Sequence, residues 1–168
     1  MVGAAPRRGA VRLAGSVSGE GGLFAPLSGR PCAFYFVTLR EWDNGHTHKL
    51  FDVESHATFE LKDHSGTAMV EPLGGDFRLG KHRLESGNSL TSWPQFVKVL
   101  ERYGQSPYDD EGQERSVDWR EWILVPGDRL EVAGLCGWEF AHPNGYRDRN
   151  QSLVVRSSPE TQLRLRIA

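Results

Sequence analysis

Two features of this sequence could support chemistry: a closely spaced pair of histidines, as metal ligands, and a cysteine, as a nucleophile. His46 and His48 are two residues apart, so on a strand both would lie on one face, as a pair of zinc ligands does. Cys32 is a candidate thiol nucleophile if a distant histidine acts as its base. The histidines follow a hairpin turn without a neighbouring Cys, Asp or Glu pair, which favours a solvated edge. Cys32 begins an apolar run, which favours an inert buried thiol.

Other polar patterns fit turns and loops better than binding sites. Asp109, Asp110 and Glu111 form an acidic run that lacks the ligand spacing of an EF-hand calcium loop, so we predict a mobile solvated loop over 106–118. Asp63 lies at a predicted turn, where an aspartate accepts local backbone hydrogen bonds. Neither standard glycine-rich phosphate loop occurs in the sequence. We therefore predict no catalytic residues, no metal ligands and no cofactor.

Tryptophan and cationic residues are the best candidates for contact with a partner. Trp122 and Trp138 are predicted to pack in the core. Trp119 lies between two charged residues and is a candidate exposed anchor in a partner interface. One predicted loop contains Arg78, Lys81, His82 and Arg83. These side chains either form a small patch for an anionic ligand or are simply exposed to solvent. The candidate partner-binding residues are Trp119, Arg78, Lys81 and Arg83.

The composition is typical of one globular domain. The chain has 168 residues, of which 38% are apolar, and a formal net charge of -2. Because nucleic-acid-binding domains are usually basic, the charge argues against a nucleic-acid partner. No apolar stretch approaches the roughly 20 residues of a membrane helix, and no signal-peptide pattern occurs, so we expect no membrane span and a cytoplasmic location. We predict a flexible N-terminal tail over 1–10 and a single domain over 11–168.

Strands are predicted to position these residues. The densest apolar run, from Cys32 to Leu39, predicts a central strand buried on both faces. Asn44-Gly45 and the segment 63–66 predict hairpin turns. Further strands are expected over 11–17, 119–124, 129–135, 136–141, 152–156 and 162–167. Turn and strand-start residues with a structural role are Pro26, Gly29, Cys32, Asp63, Gly66, Pro126 and Gly127.

One short α-helix is expected around 93–103. Phe96, Val99, Leu100 and Tyr103 form one apolar stripe at helical spacing, and Gly104 is placed to cap the C-terminus. A helix of about three turns is not stable alone, so the stripe should pack on a sheet.

The order of several segments resembles the GIDE domain, also called the BAM or "beside a membrane" domain, of Mulan-type mitochondrial ubiquitin ligases and of many shorter prokaryotic relatives. The shared features cover roughly residues 11 to 140. In chain order they are Ala25-Pro26-Leu27-Ser28-Gly29 with Cys32, the aromatic strand that follows, the hairpin Phe59-x-Leu61-x-Asp63-x-x-Gly66 with Val70 and Pro72, the helix Phe96 to Gly104, the segment 121–128, and Leu130-x-Val132-x-Gly134.

The resemblance implies a mainly β, single-domain, β-barrel-like fold of OB-like or related topology that serves as an interaction or substrate-recognition module. Ligase activity is not carried over, because a RING finger needs about eight Cys and His ligands and this chain has two cysteines. Membrane adjacency is not carried over either, since the sequence shows no counterpart of the family's two flanking membrane helices.

These observations favour a non-enzymatic protein-interaction or substrate-recognition module whose protein partner is unidentified. An OB-like binder of single-stranded nucleic acid is the alternative, and an unidentified hydrolase is a third hypothesis. The sequence leaves the oligomeric state open.

Overall fold

The computed structural model describes residues 3, 8–19, 22–43, 45–79, 84–87, 94–140 and 151–168. In these residues the protein is mainly β with a single helix, which confirms the expected fold class. The elements are β1 (Arg8–Ser18), β2 (Leu23–Phe24), β3 (Pro31–Cys32), β4 (Phe34–Asp43), β5 (His46–His56), β6 (Phe59–Asp63), β7 (Gly66–Glu71), β8 (Asp76–Arg78), β9 (Leu84–Gly87), α1 (Pro94–Arg102), β10 (Val117–Leu124), β11 (Arg129–Phe140), β12 (Gln151–Arg156) and β13 (Arg164–Ile167).

Five strands close into a barrel. Their order is β1-β6-β7-β12-β11, and β11 pairs again with β1 to complete the circle. The pairs are antiparallel except for β7 and β12, which are parallel. This is the strand order of the five-stranded Greek-key barrel known as the OB-fold. Beyond β11 the sheet continues through β13 to β8, so β8 is an edge strand.

The barrel interior is filled by apolar side chains from alternate positions of its strands, as the alternation in the sequence predicts. Burial of such a side chain contributes about 1.5–3 kcal/mol, so these residues provide most of the driving force for closing the barrel. Gly15 allows β1 to approach β6 closely, since a Cβ atom there would lie 2.6 Å from the carbonyl oxygen of Lys62. The fully buried core residues include Leu13, Leu61, Val70, Leu130, Val132, Leu153 and Val155.

A second sheet, with the order β5-β4-β10-β9, lies beside the barrel. Most of it comes from the long insertion between β1 and β6, which contains the predicted β4–β5 hairpin. One face of this sheet is covered by α1, whose Phe96 and Leu100 pack in a cluster with Leu39 and Trp119. The helix therefore stabilises the second sheet rather than the barrel.

The C-terminus of α1 ends as the sequence predicts. Gly104 has φ 69°, the left-handed conformation that glycine adopts without strain. The Gly104 N–H donates to the Glu101 carbonyl at 3.0 Å, and the Gln105 N–H donates to the Leu100 carbonyl at 2.9 Å, which together form a Schellman motif. In the described part of the chain no helix has the length and apolar character needed to cross a membrane.

Three predicted boundaries are wrong. β1 begins at Arg8, so residues 8–10 pair with β11 instead of belonging to a tail; apart from Gly3, the rest of that tail lies outside the described residues. Cys32 pairs with Leu23 in a small two-stranded sheet, and β4 starts only at Phe34, because the chain bends between two sheets. Residues 129–140 form one continuous strand, since β1 pairs with its first part and β12 with its last.

Candidate functional site

An aromatic groove lies where the seven-stranded and four-stranded sheets meet. Phe36 of β4 and Trp122 of β10 are directly opposite each other, with ring centroids 5.4 Å apart. Phe34, two residues earlier on the same face of β4, stacks on Phe77 of β8 at 3.9 Å. The groove has a volume of about 440 Å³, within the size range of ligand pockets. We define the aromatic groove by Phe34, Phe36, Phe77 and Trp122.

The four aromatic rings differ in burial. Phe34 is buried against the barrel core, whereas Phe36, Phe77 and Trp122 are only half-buried. Phe34 therefore forms a buried apolar floor, while the three half-buried rings leave apolar surface in contact with water. Covering such surface with an apolar ligand is favourable by roughly 25 cal/mol for each Å² removed from water.

Carboxylates lie at the edge of the aromatic groove. Glu54 is exposed on β5, directly opposite Phe36. Asp76 precedes Phe77 on β8 and accepts a hydrogen bond of 2.8 Å from Nε of Arg78. None of the described residues that line the groove is cationic. Aromatic faces next to carboxylates attract cationic groups, so the groove is suited to a side chain that combines apolar surface with positive charge.

A buried carboxylate on the other face of β10 holds the turn that precedes β4. Glu121 is fully buried, and its two oxygens accept hydrogen bonds from the N–H groups of Leu27 at 2.8 Å and Ser28 at 3.0 Å. Gly29 closes the same turn by donating to the Ala25 carbonyl at 2.9 Å, with φ 67°. Gly29 thus lies in a turn as predicted, and Glu121 binds this turn to the sheet.

Cys32 is buried, as the sequence predicts. Burial raises the pKa of its thiol to about 11, and the nearby charge of Glu121 contributes to the increase. A thiol with this pKa is protonated at neutral pH, which makes it a weak nucleophile. Cys136 is also buried, and burial raises its pKa too.

The other predicted turn residues lie in two turns. Oδ1 of Asp63 accepts from the N–H groups of Ser65 at 2.7 Å and Gly66 at 3.0 Å, which is the local role expected for this aspartate. Pro126 and Gly127 occupy the two central positions of the turn before β11. Gly127 has φ 92°, as a type II turn requires at its third residue.

The prediction that Trp119 is an exposed anchor is wrong. Its side chain is only 2% exposed, and its ring lies 5.9 Å from that of Phe96. The charged neighbours reflect strand alternation, in which outward residues flank an inward one. Trp138, predicted to be in the core, is 37% exposed, and Trp122 is half-buried in the aromatic groove.

The loop residues predicted to bind a partner are only partly described. Arg78 is exposed on β8 and bound to Asp76, while Lys81 and Arg83 lie outside the described residues. His46 and His48 lie at the exposed start of β5. In the described ranges no three His, Cys, Asp or Glu side chains cluster as metal ligands would.

An ion pair connects the predicted loop over 106–118 to the second sheet. Nη1 of Arg115 donates to both carboxylate oxygens of Glu41 at 2.7 and 2.6 Å, and both side chains are largely buried. Within the loop, Oδ1 of Asp109 accepts the N–H groups of Glu111 and Gln113, so this aspartate organises a turn.

Sequence reasoning did not identify the aromatic groove. Phe36 and Trp122 are 86 positions apart in the chain, and only the pairing of β4 with β10 makes them neighbours. The available signal was the spacing of Phe34 and Phe36, which places two aromatic rings on one face of a strand. No protein-family model, curated protein or solved structure matches the chain. The GIDE-like identity therefore remains a prediction.

Proposed function

We propose that the protein is a non-enzymatic interaction module of GIDE-like type, and that the aromatic groove holds a segment of its protein partner. The observation that carries this proposal is the cluster of three half-buried rings, Phe36, Phe77 and Trp122, around an open volume of about 440 Å³. Aromatic rings that remain accessible to water in a shaped groove are typical of surfaces that bind other proteins.

The charge at the edge of the groove defines the occupant. Glu54 is exposed beside Phe36, whereas the carboxylate of Asp76 is paired with Arg78. We infer that the partner inserts an aromatic or long aliphatic side chain next to a lysine or arginine, since Glu54 favours the cation and disfavours acidic segments. The charge of Glu54 also repels phosphate, which argues against single-stranded nucleic acid in this groove.

A selection of random peptides displayed on phage tests the proposal even though the partner is unidentified. Peptides enriched on the immobilised protein should combine an aromatic or aliphatic residue with Lys or Arg. A synthetic peptide from the selection should bind Glu54→Lys roughly tenfold or more weakly than the parent protein. Glu60→Lys is the matched control, because Glu60 is an exposed glutamate on β6 outside the groove lining.

Two results would contradict the proposal. One is the absence of any enriched peptide family, and the other is equal binding of the selected peptides to the Glu54→Lys and Glu60→Lys variants. A fluorescence-anisotropy titration with oligothymidylate at low ionic strength tests the nucleic-acid alternative, which predicts tight binding that weakens steeply with added salt.

A further inference from the structure

A strongly charged surface lies outside the barrel, where β1, β11, β13 and β8 run side by side. Arg12 of β1 and Arg164 of β13 lie in one row across β11. In the next row, Glu131 of β11 lies opposite Arg166 of β13, which lies opposite Arg78 of β8. Because the residues between them on each strand point into the core, these side chains project outward together. We define the arginine face by Arg12, Arg78, Arg164 and Arg166.

The ion pairs of the arginine face leave it positively charged. Oε2 of Glu131 accepts from Nη2 of Arg12 at 2.5 Å and from Nη2 of Arg166 at 2.6 Å. Arg78 is bound to Asp76, and Arg164 lies opposite the same aspartate in the register of β13 and β8. Four guanidinium groups therefore face two carboxylates, in a chain whose net charge is -2. The side chains of Arg12, Arg78 and Arg166 stay 66%, 68% and 59% exposed.

Arg78 and Arg166 lie opposite each other on the parallel strands β8 and β13. Each has a carboxylate partner, Asp76 for Arg78 and Glu131 for Arg166, which offsets part of the repulsion between the two guanidinium groups. An acidic residue at either position would relieve the repulsion. A bound anion would relieve it as well, and the shallow depression of about 240 Å³ between these side chains provides room for one.

We propose that the arginine face binds an extended segment of a partner protein that carries phosphoryl groups on alternate residues. The planar guanidinium group donates two parallel hydrogen bonds to phosphate oxygens. Arg164 and Arg166 project from one strand about 6.6–6.8 Å apart, which is also the spacing of side chains i and i+2 on an extended peptide. Two phosphoserines separated by one residue would therefore meet both arginines at once.

The chemistry of the arginine face favours a phosphorylated peptide over single-stranded nucleic acid. Proteins that bind single strands combine cations with aromatic rings on which the bases stack. No aromatic side chain among the described residues lines the depression between these arginines. Recognition here is by charge and by the geometry of the guanidinium groups, which a phosphopeptide satisfies without stacking.

Fluorescence anisotropy with a labelled peptide that contains two phosphoserines separated by one glycine tests this proposal. The 168-residue chain should bind the peptide at low ionic strength, and the unphosphorylated peptide should not bind. Arg164→Ala and Arg166→Ala should each weaken binding roughly tenfold or more. Arg102→Ala is the matched control, because Arg102 is an exposed arginine on α1, and it should bind like the parent.

Three results would overturn the proposal: no binding of the phosphopeptide, equal binding by the Arg164→Ala and Arg102→Ala variants, or tighter binding of oligothymidylate with the same arginine dependence. The outcome is separate from that of the groove experiment. The Glu54→Lys variant leaves the arginine face intact, and the arginine variants leave the aromatic groove intact.

Discussion

Replacement of Glu121 by alanine should destabilise the protein strongly. The Leu27 N–H, bonded to this carboxylate at 2.8 Å, is buried, and the Ser28 N–H, bonded at 3.0 Å, is partly buried. A buried donor left without an acceptor costs about 1–3 kcal/mol, and water can partly replace the acceptor at Ser28. Loss of packing adds to this cost, while removal of a buried charge offsets part of it. We expect the free energy of unfolding to fall by about 3 kcal/mol.

Glu121→Gln separates the hydrogen bonds from the packing. The amide keeps the shape and one acceptor oxygen but turns an NH₂ group toward the second backbone N–H. We therefore expect a loss of about 1.5–2 kcal/mol, smaller than that of the alanine variant, because one of the two bonds survives.

Urea unfolding followed by tryptophan fluorescence measures both losses of unfolding free energy. The dependence of that free energy on urea concentration should be the same in all variants. Glu160→Ala is the control, because Glu160 is exposed, and it should stay within about 0.5 kcal/mol of the parent. An alanine variant at position 121 as stable as this control would refute the role assigned to the buried carboxylate.

Two further predictions concern Cys32 and Gly15. The pKa of Cys32 rises from the ordinary 9.0 to about 11 on folding, so its contribution to stability is complete below pH 9.0 and is lost as the pH rises through about 11. In urea titrations, the difference in unfolding free energy between the parent and Cys32→Ala should shrink between pH 9.0 and about 11. A difference that stays constant over this pH range would contradict the prediction. Gly15→Ala places a Cβ atom 2.6 Å from the Lys62 carbonyl oxygen and should cost about 1–3 kcal/mol in thermal unfolding. The Gly137→Ala control, with open space at its Cβ position, should be nearly neutral, and equal losses in both variants would refute the steric explanation.

Local elements of the fold were predictable because their signals are local. The hairpin turn at Asp63 depends on side-chain and backbone hydrogen bonds within four residues. The helix depends on one apolar stripe and on Gly104, whose left-handed conformation closes the last turn. The barrel strands β6 and β7 show plain alternation, which follows from the two-residue repeat of a strand.

The errors arose where burial depends on distant residues. Trp119 has charged neighbours and was expected at the surface, but α1 covers that face of β10 and buries the ring against Phe96. Glu121 is of a type that is normally exposed, and nothing near it in the chain indicates that the turn at Leu27 supplies two donors to its carboxylate.

The residue pattern alone predicts that this protein is mainly β, the positions of the turns at Asp63 and at Pro126-Gly127, and the alternation of side chains along the barrel strands. These properties follow from φ preferences and from the two-residue period of strands. The two surfaces that carry the proposals depend instead on contacts between distant segments. Phe36 and Trp122 meet because β4 pairs with β10, and Arg166 meets Arg78 because β13 pairs with β8. Strand register between distant segments depends on the packing of the whole core, and no local pattern contains it.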